Sequence, residues 1–220
     1  MGKTQTAEGA VKRPEPPANL GQYPDGANWP VSFAPAPELK EWVIATFIAE
    51  DGRLHNPDHA HLEDADFEML WAAAPFEKQG RIVLGQTEEV AFRAGGWQRE
   101  RMQEQVGLWF GRIPDFIITI AASYCQEAAD ADFCALMEHE LYHIGQQKDA
   151  TGEPVFGREG QPKLQIRGHD VEEFVGVVAR YGAGDESGNL ARLVRAANSA
   201  PHLSALRVSQ ACGTCLLKLA

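Results

Sequence analysis

With 220 residues, 23% of them charged and 44% apolar, the chain has the make-up of one soluble globular domain and is short for two. Twenty basic residues against 31 acidic ones leave a net charge of -11, which repels phosphate backbones and anionic lipid surfaces, so neither direct nucleic-acid binding nor membrane binding is expected. No apolar run approaches the roughly 20 residues that span a bilayer, and the opening MGKTQTAEGAVKRPEPPANLGQ holds no apolar segment able to act as a signal peptide, so a cytosolic location is expected.

Residues 1–36, with prolines at 14, 16, 17, 24, 30 and 35 and no apolar periodicity, read as a disordered Pro-rich arm. A single domain is expected over 37–200, followed by a tail over 201–220. In ELKEWVIATFIAE, Leu39, Trp42, Val43, Thr46 and Phe47 recur at helical spacing, which predicts the first core helix. DADFEMLWAAA reads as a short helical or mixed stretch. Clusters of β-branched residues predict strands near Ile82 to Leu84 and over Phe116 to Ala121. ADADFCALMEHELYHIGQQ follows as one long helix, with Asp130 or Asp132 available as N-cap. A loop, DATGEPVFGREGQP, leads to a short strand at Lys163 to Ile166. HDVEEFVGVVARYG predicts a second helix, because Val171, Phe174, Val175 and Val178 form an i, i+3, i+4, i+7 stripe that Gly182 can cap.

The chemistry is concentrated in MEHELYHIG. Residues four apart on a helix differ by about 40° around its axis, so His139 and His143 point the same way, one turn apart, and can share one ion. Phe133, Met137, Leu141 and Ile144 fall on a separate apolar face. Zinc suits neutral imidazoles, and a catalytic zinc site takes three protein ligands and keeps a fourth position for water. Glu140, between the two histidines and nearer the core side, can reach that water as general base. The third ligand must come from elsewhere. His169, in RGHDVEEF after a loop able to turn the chain back, is the first choice, with Glu172 and Glu173 as carboxylate rivals. Those acids are also explained by a helix start, since Asp170 and Glu173 have capping-box spacing. Asp170 can alternatively orient a ligand.

MEHELYHIG, with PDFIITIAASY ahead of it and KLQIRGHDVEEFVGVVARYG behind, resembles the phage metallopeptidase family of phages and prophages, over roughly residues 38 to 182. The resemblance implies a small α+β, zincin-like domain: a small mixed sheet packed on the HExxH helix, with a second helix after the third ligand. It also implies His139, His143 and His169 as metal ligands, Glu140 as the catalytic acid or base, and a bacterial host cytosol as the location. The expected activity is that of a zinc metallopeptidase, with zinc as cofactor and a peptide or protein as substrate. The alternative is a catalytically idle zinc-binding interaction or regulatory module of phage origin. In zincin-like folds a strand beside the motif helix often pairs with an extended substrate, and Phe116 to Ala121 is the candidate strand, although an interior strand has the same composition.

Other features have plainer readings. HNPDHAH places His55, His59 and His61 within seven residues, but Pro57 and the short polar spacing fit a solvated turn better than a second metal cluster. Cys212 and Cys215 in CGTC lack the partners of a zinc knuckle and the strand-to-helix setting of a redox pair. With Cys125 and Cys134 they are expected to be free thiols. Tyr124, Tyr142 and Tyr181 are possible oxyanion donors, with packing the expected role of Tyr142.

Overall fold

The computed structural model of the protein describes residues 13–78, 80–171, 175, 178–179 and 182–200. Its centre is a four-stranded mixed sheet in the order β1-β2-β6-β5. Strand β1 (Phe33–Pro35) lies antiparallel to β2 (Phe67–Ala72), β2 runs parallel to β6 (Phe116–Ala121), and β5 (Gly85–Glu89) runs antiparallel to β6. A hairpin of β3 (Phe76–Lys78) and β4 (Arg81–Val83) precedes β5. The expected second core element, DADFEMLWAAA, is therefore a strand. Its apolar residues look continuous because β2 is buried on both faces: Phe67, Met69 and Trp71 enter the main core, while Leu70 joins Ile117 and Val106 on the other side.

The main core lies between the sheet and two helices, α1 (Pro37–Val43) and α4 (Asp130–Tyr142). Leu39, Trp42 and Val43 from α1 meet Phe133, Leu136, Met137 and Leu141 from α4 above the inner row of β2 and β6. Helix α1 continues as a π-helical turn, Ile44–Ile48, so the expected first helix is present with a widened end. The outer face of the sheet carries α2 (Gly96–Phe110), which the sequence pattern did not reveal; of its residues only Val106 is buried, and Gly111, with φ 71°, supplies the left-handed C-cap that favours glycine.

Short α3 (Ala122–Glu127) leads from β6 into α4. Ala129, not an aspartate, is the N-cap of α4; Asp130 and Asp132 instead lie within its first turn, where negative charge complements the helix dipole. The helix ends at Tyr142 with His143 as C-cap, and Ile144–Gln146 turns into strand β7, paired antiparallel with β8 (Leu164–Ile166). The sequence-based helix ran to Gln147. It stops sooner because Ile144 is buried in the sheet pairing opposite Ile166. A further helix, α5 (Asn189–Asn198), closes the described part. The helix expected after His169 lies largely outside the described residues, as do Glu172, Glu173, Tyr181, Cys212 and Cys215. The mixture of small sheets and helices makes the fold α+β, consistent with the zincin-like expectation.

Part of the segment expected as a disordered arm makes defined contacts. Arg13 donates to the carbonyls of Cys125 and Ala128 at 2.9 Å each, pairs with Asp130, and lies over the Phe133 ring. Leu20 packs on the main core, and Gly21 and Gln22 exchange backbone hydrogen bonds with Val31. The guanidinium satisfies carbonyl groups at the α3 C-terminus that the helix itself leaves unpaired.

Candidate metal centre

Three imidazoles converge beside α4. His143 Nε2 lies 3.2 Å from His139 Nε2, and His169 Nε2 lies 3.3 Å from the same atom. The ring centroids are 5.0, 5.2 and 4.7 Å apart for the pairs 139–143, 139–169 and 143–169. One nitrogen from each ring falls within 4.8 Å of the other two, and all three side chains are half-buried. Among the described residues this is the group of three or more His, Cys, Asp or Glu side chains able to hold a metal ion, and it contains no fourth such residue.

The chain reaches this geometry by two local devices. Helix α4 places His139 and His143 one turn apart, as their spacing requires. The β7–β8 pairing then continues one residue past Ile144 and Ile166: Arg167 N–H donates to the His143 carbonyl at 2.8 Å. In return, His143 Nδ1 lies 2.8 Å from the Arg167 carbonyl. A carbonyl only accepts, so the proton sits on Nδ1 and the lone pair on Nε2, the nitrogen that faces the other two rings. Two residues farther on the same segment delivers His169. Three nitrogen lone pairs this close repel one another unless protons or a cation lie between them, so the arrangement fits a shared metal ion.

Glu140 is 1% exposed. Its carboxyl faces β5: Thr87 Oγ1 lies 2.8 Å from Glu140 Oε2 and 2.9 Å from the Glu140 backbone carbonyl. Gly85 lies equally close, for a Cβ there would fall 2.6 Å from Glu140 Oε1. Neither Gly85 nor Thr87 was suggested by the sequence, because what brings them here is the antiparallel pairing of β5 with β6.

Asp170 does not meet a ligand ring in the contacts described; its Oδ1 pairs with the Arg167 guanidinium at 2.5 Å. The expectation that Phe116 to Ala121 offers a sheet edge is not met, since β6 lies between β2 and β5 and the terminal strands are β1 and β5.

The HNPDHAH histidines form no second metal group among the described residues, yet they are not a solvated turn either. Pro57–Leu62 is a 3-10 helix started by Asn56, whose side chain accepts from Asp58 N–H. His59 is fully buried, its ring 4.6 Å from that of Tyr142. His61 Nε2 bonds the Ile144 carbonyl at 2.7 Å, and His55 Nδ1 the Ile48 carbonyl at 3.2 Å. Asn56 donates to Glu138 and to Tyr142, and the Tyr142 hydroxyl donates to Asp58. His59 Nε2 stands 3.7 Å from Glu138 Oε1, too far for a hydrogen bond but close enough to act on its charge. The His59 ring first, then the Asn56 amide, hold the Glu138 carboxyl below its ordinary range against the opposing effect of burial. This network holds a neighbouring face of α4, for Glu138 and Tyr142 each precede a ring-bearing histidine by one residue, about 100° around the helix. Tyr142 has the packing role expected of it.

The model of the family described as "Putative phage metallopeptidase" matches residues 40–198. The chain belongs to this family. The matched stretch takes in His139, Glu140, His143 and His169 and runs past residue 182, where the resemblance in sequence had been expected to end. As a family member the chain carries a metallopeptidase description together with a histidine group able to hold a metal ion. No curated protein and no solved structure matches it at a significant level. Among the described residues no helix is long and apolar enough to cross a membrane.

Proposed function

We propose that the protein is a zinc-dependent metallopeptidase of the bacterial host cytosol, in which His139, His143 and His169 hold the metal and Glu140 is the general base. The observation that carries this reading is the pair of Nε2 separations, 3.2 and 3.3 Å. Zinc–imidazole bonds of about 2.0–2.1 Å in a tetrahedron put two ligand nitrogens about 3.3 Å apart. The all-nitrogen donor set suits zinc, while a magnesium or calcium site would call for oxygen ligands.

A bound zinc ion would supply Lewis acidity and bring the pKa of water down toward about 7. The residues of the chain do the rest. The Arg167 carbonyl keeps His143 in the tautomer that offers Nε2. The Glu140 carboxylate takes a proton from the attacking water and returns one to the leaving amine. Burial strengthens the interaction of that carboxylate with nearby charge. An extended peptide can lie along β5, the terminal strand that carries Thr87 against Glu140, with its main chain pairing in the manner of an added strand. The net charge of -11 disfavours nucleic acid as a direct partner.

The enzyme and an idle zinc module differ in the fourth coordination position: water there, within reach of Glu140, supports the enzyme, and a fourth protein ligand supports the module. The test is Glu140→Gln in the full-length chain, with bound zinc and hydrolysis of an unfolded protein measured together. The expected result is unchanged zinc and turnover reduced at least about 100-fold. Unchanged turnover removes Glu140 as base, and absence of hydrolysis by the zinc-loaded wild type leaves the binding module.

A further inference from the structure

Alternate residues of a strand point to the same face, and in β5 two neighbours on one face, Gly85 and Thr87, both meet Glu140. At Gly85 the missing side chain is what matters. A Cβ would stand 2.6 Å from Oε1, 2.9 Å from Cδ and 3.0 Å from Cγ of Glu140, so the carboxyl occupies space that any other residue would fill. At Thr87 the hydroxyl matters, lying 2.8 Å from Oε2 and 2.9 Å from the backbone carbonyl of the same glutamate. Both oxygens accept and the hydroxyl has one hydrogen, which the carboxylate takes or shares with the carbonyl, so Thr87 ties Glu140 to the strand.

We propose that Thr87 is a positioning residue that holds the Glu140 carboxylate at its working place, with Gly85 opening the room for it. The proposal rests on the reading of Glu140 as general base. A helix sets where the glutamate Cα lies but leaves three side-chain torsions to be decided. A base acts only within about 2.6–3.2 Å of the proton it takes, directly or through one water, and a displacement of about 1 Å can cost 100-fold in rate. Threonine suits the task because its branched Cβ makes χ1 stiff in a strand. The buried carboxylate would also be costly to leave without hydrogen bonds. The Thr87 contact therefore serves folding as well as geometry, and the experiment must separate the two.

The full-length protein is loaded with zinc as wild type, Thr87→Val and Thr87→Ser, and kcat and KM are measured on an unfolded protein substrate. Valine keeps the branched shape and removes the hydroxyl. It is expected to lower kcat about 10- to 100-fold while bound zinc stays at one equivalent and KM changes by less than about twofold. Serine restores the hydroxyl and is expected to bring kcat back to within about threefold of wild type. Wild-type kcat in Thr87→Val overturns the proposal. Crystal structures of wild type and Thr87→Val supply a readout that needs no turnover: a carboxylate displaced by about 1 Å supports the proposal, and one superimposed on the wild type overturns it. If the zinc-loaded wild type cleaves nothing, the peptidase reading fails on that measurement, and the carboxylate position still decides the role of Thr87. Should Thr87→Val not fold, Thr87→Ala is read in the same two ways.

Discussion

His143 and Arg167 are joined twice, once through Arg167 N–H to the His143 carbonyl and once through His143 Nδ1 to the Arg167 carbonyl, both at 2.8 Å. The first bond continues the β7–β8 ladder, and the second orients a ring on α4. Because His169 lies two residues beyond Arg167, the pairing of two three-residue strands both aims one of the converging rings and brings in another.

This coupling predicts that metal binding and folding are linked. A ligand that binds only the folded state at 100 times its Kd adds about 2.7 kcal/mol of stability. Thermal denaturation with zinc in that excess is expected to show a clear rise in Tm, reversed by a chelator, and His169→Ala is expected to lose the zinc-dependent rise while keeping most of its metal-free stability. An equal rise in wild type and variant would mean that zinc acts elsewhere on the chain.

Tyr142 provides a control on the neighbouring face of α4, where its ring lies 5.9 Å from the Arg167 guanidinium. Its hydroxyl accepts from Asn56 at 2.9 Å and donates to Asp58 at 3.0 Å. Tyr142→Phe is expected to cost about 1 kcal/mol in denaturant unfolding and to leave zinc stoichiometry unchanged. Loss of zinc in this variant would show that the Asn56–Tyr142–Asp58 network sets the ligand geometry.

Cys125 makes a prediction about pH. Burial pushes its thiol up to about 12 from an ordinary 9.0, against a smaller lowering by Arg13. An acid with a raised folded pKa favours the folded state while it is neutral in both states. Its contribution is intact below about pH 9 and declines as pH rises toward about 12, with a slope of at most about 1.4 kcal/mol per unit. The stability difference between wild type and Cys125→Ala is therefore expected to shrink or reverse across that window. A difference independent of pH would contradict the assigned burial effect. At pH 8 the folded protein should also resist thiol reagents at this position.

How far the sequence could be read follows from which forces decide each element. The convergence of His139 and His143 was legible because helical spacing alone brings them together, and that of His169 because a loop must return some residue to them. Helix α2 was missed because its apolar residues form no single stripe: Val106 is buried while Trp97 and Leu108 are exposed. The strand GQTEE gave no sign of its role, since Thr87 meets Glu140 only through the register of β5 on β6. His59 looked solvated among polar neighbours, yet the 3-10 helix turns its ring under α4, against Tyr142. The early end of α4 at Tyr142 depends on the β7–β8 pairing, a contact twenty residues away in sequence that no local propensity encodes.

The most direct measurement is anomalous diffraction at the zinc edge from crystals of the zinc-loaded protein. The account predicts one strong peak, about 2.0–2.1 Å from the Nε2 atoms of His139, His143 and His169, with no fourth protein ligand. A peak at any other position, or full zinc occupancy without His169 within bonding distance, would contradict it.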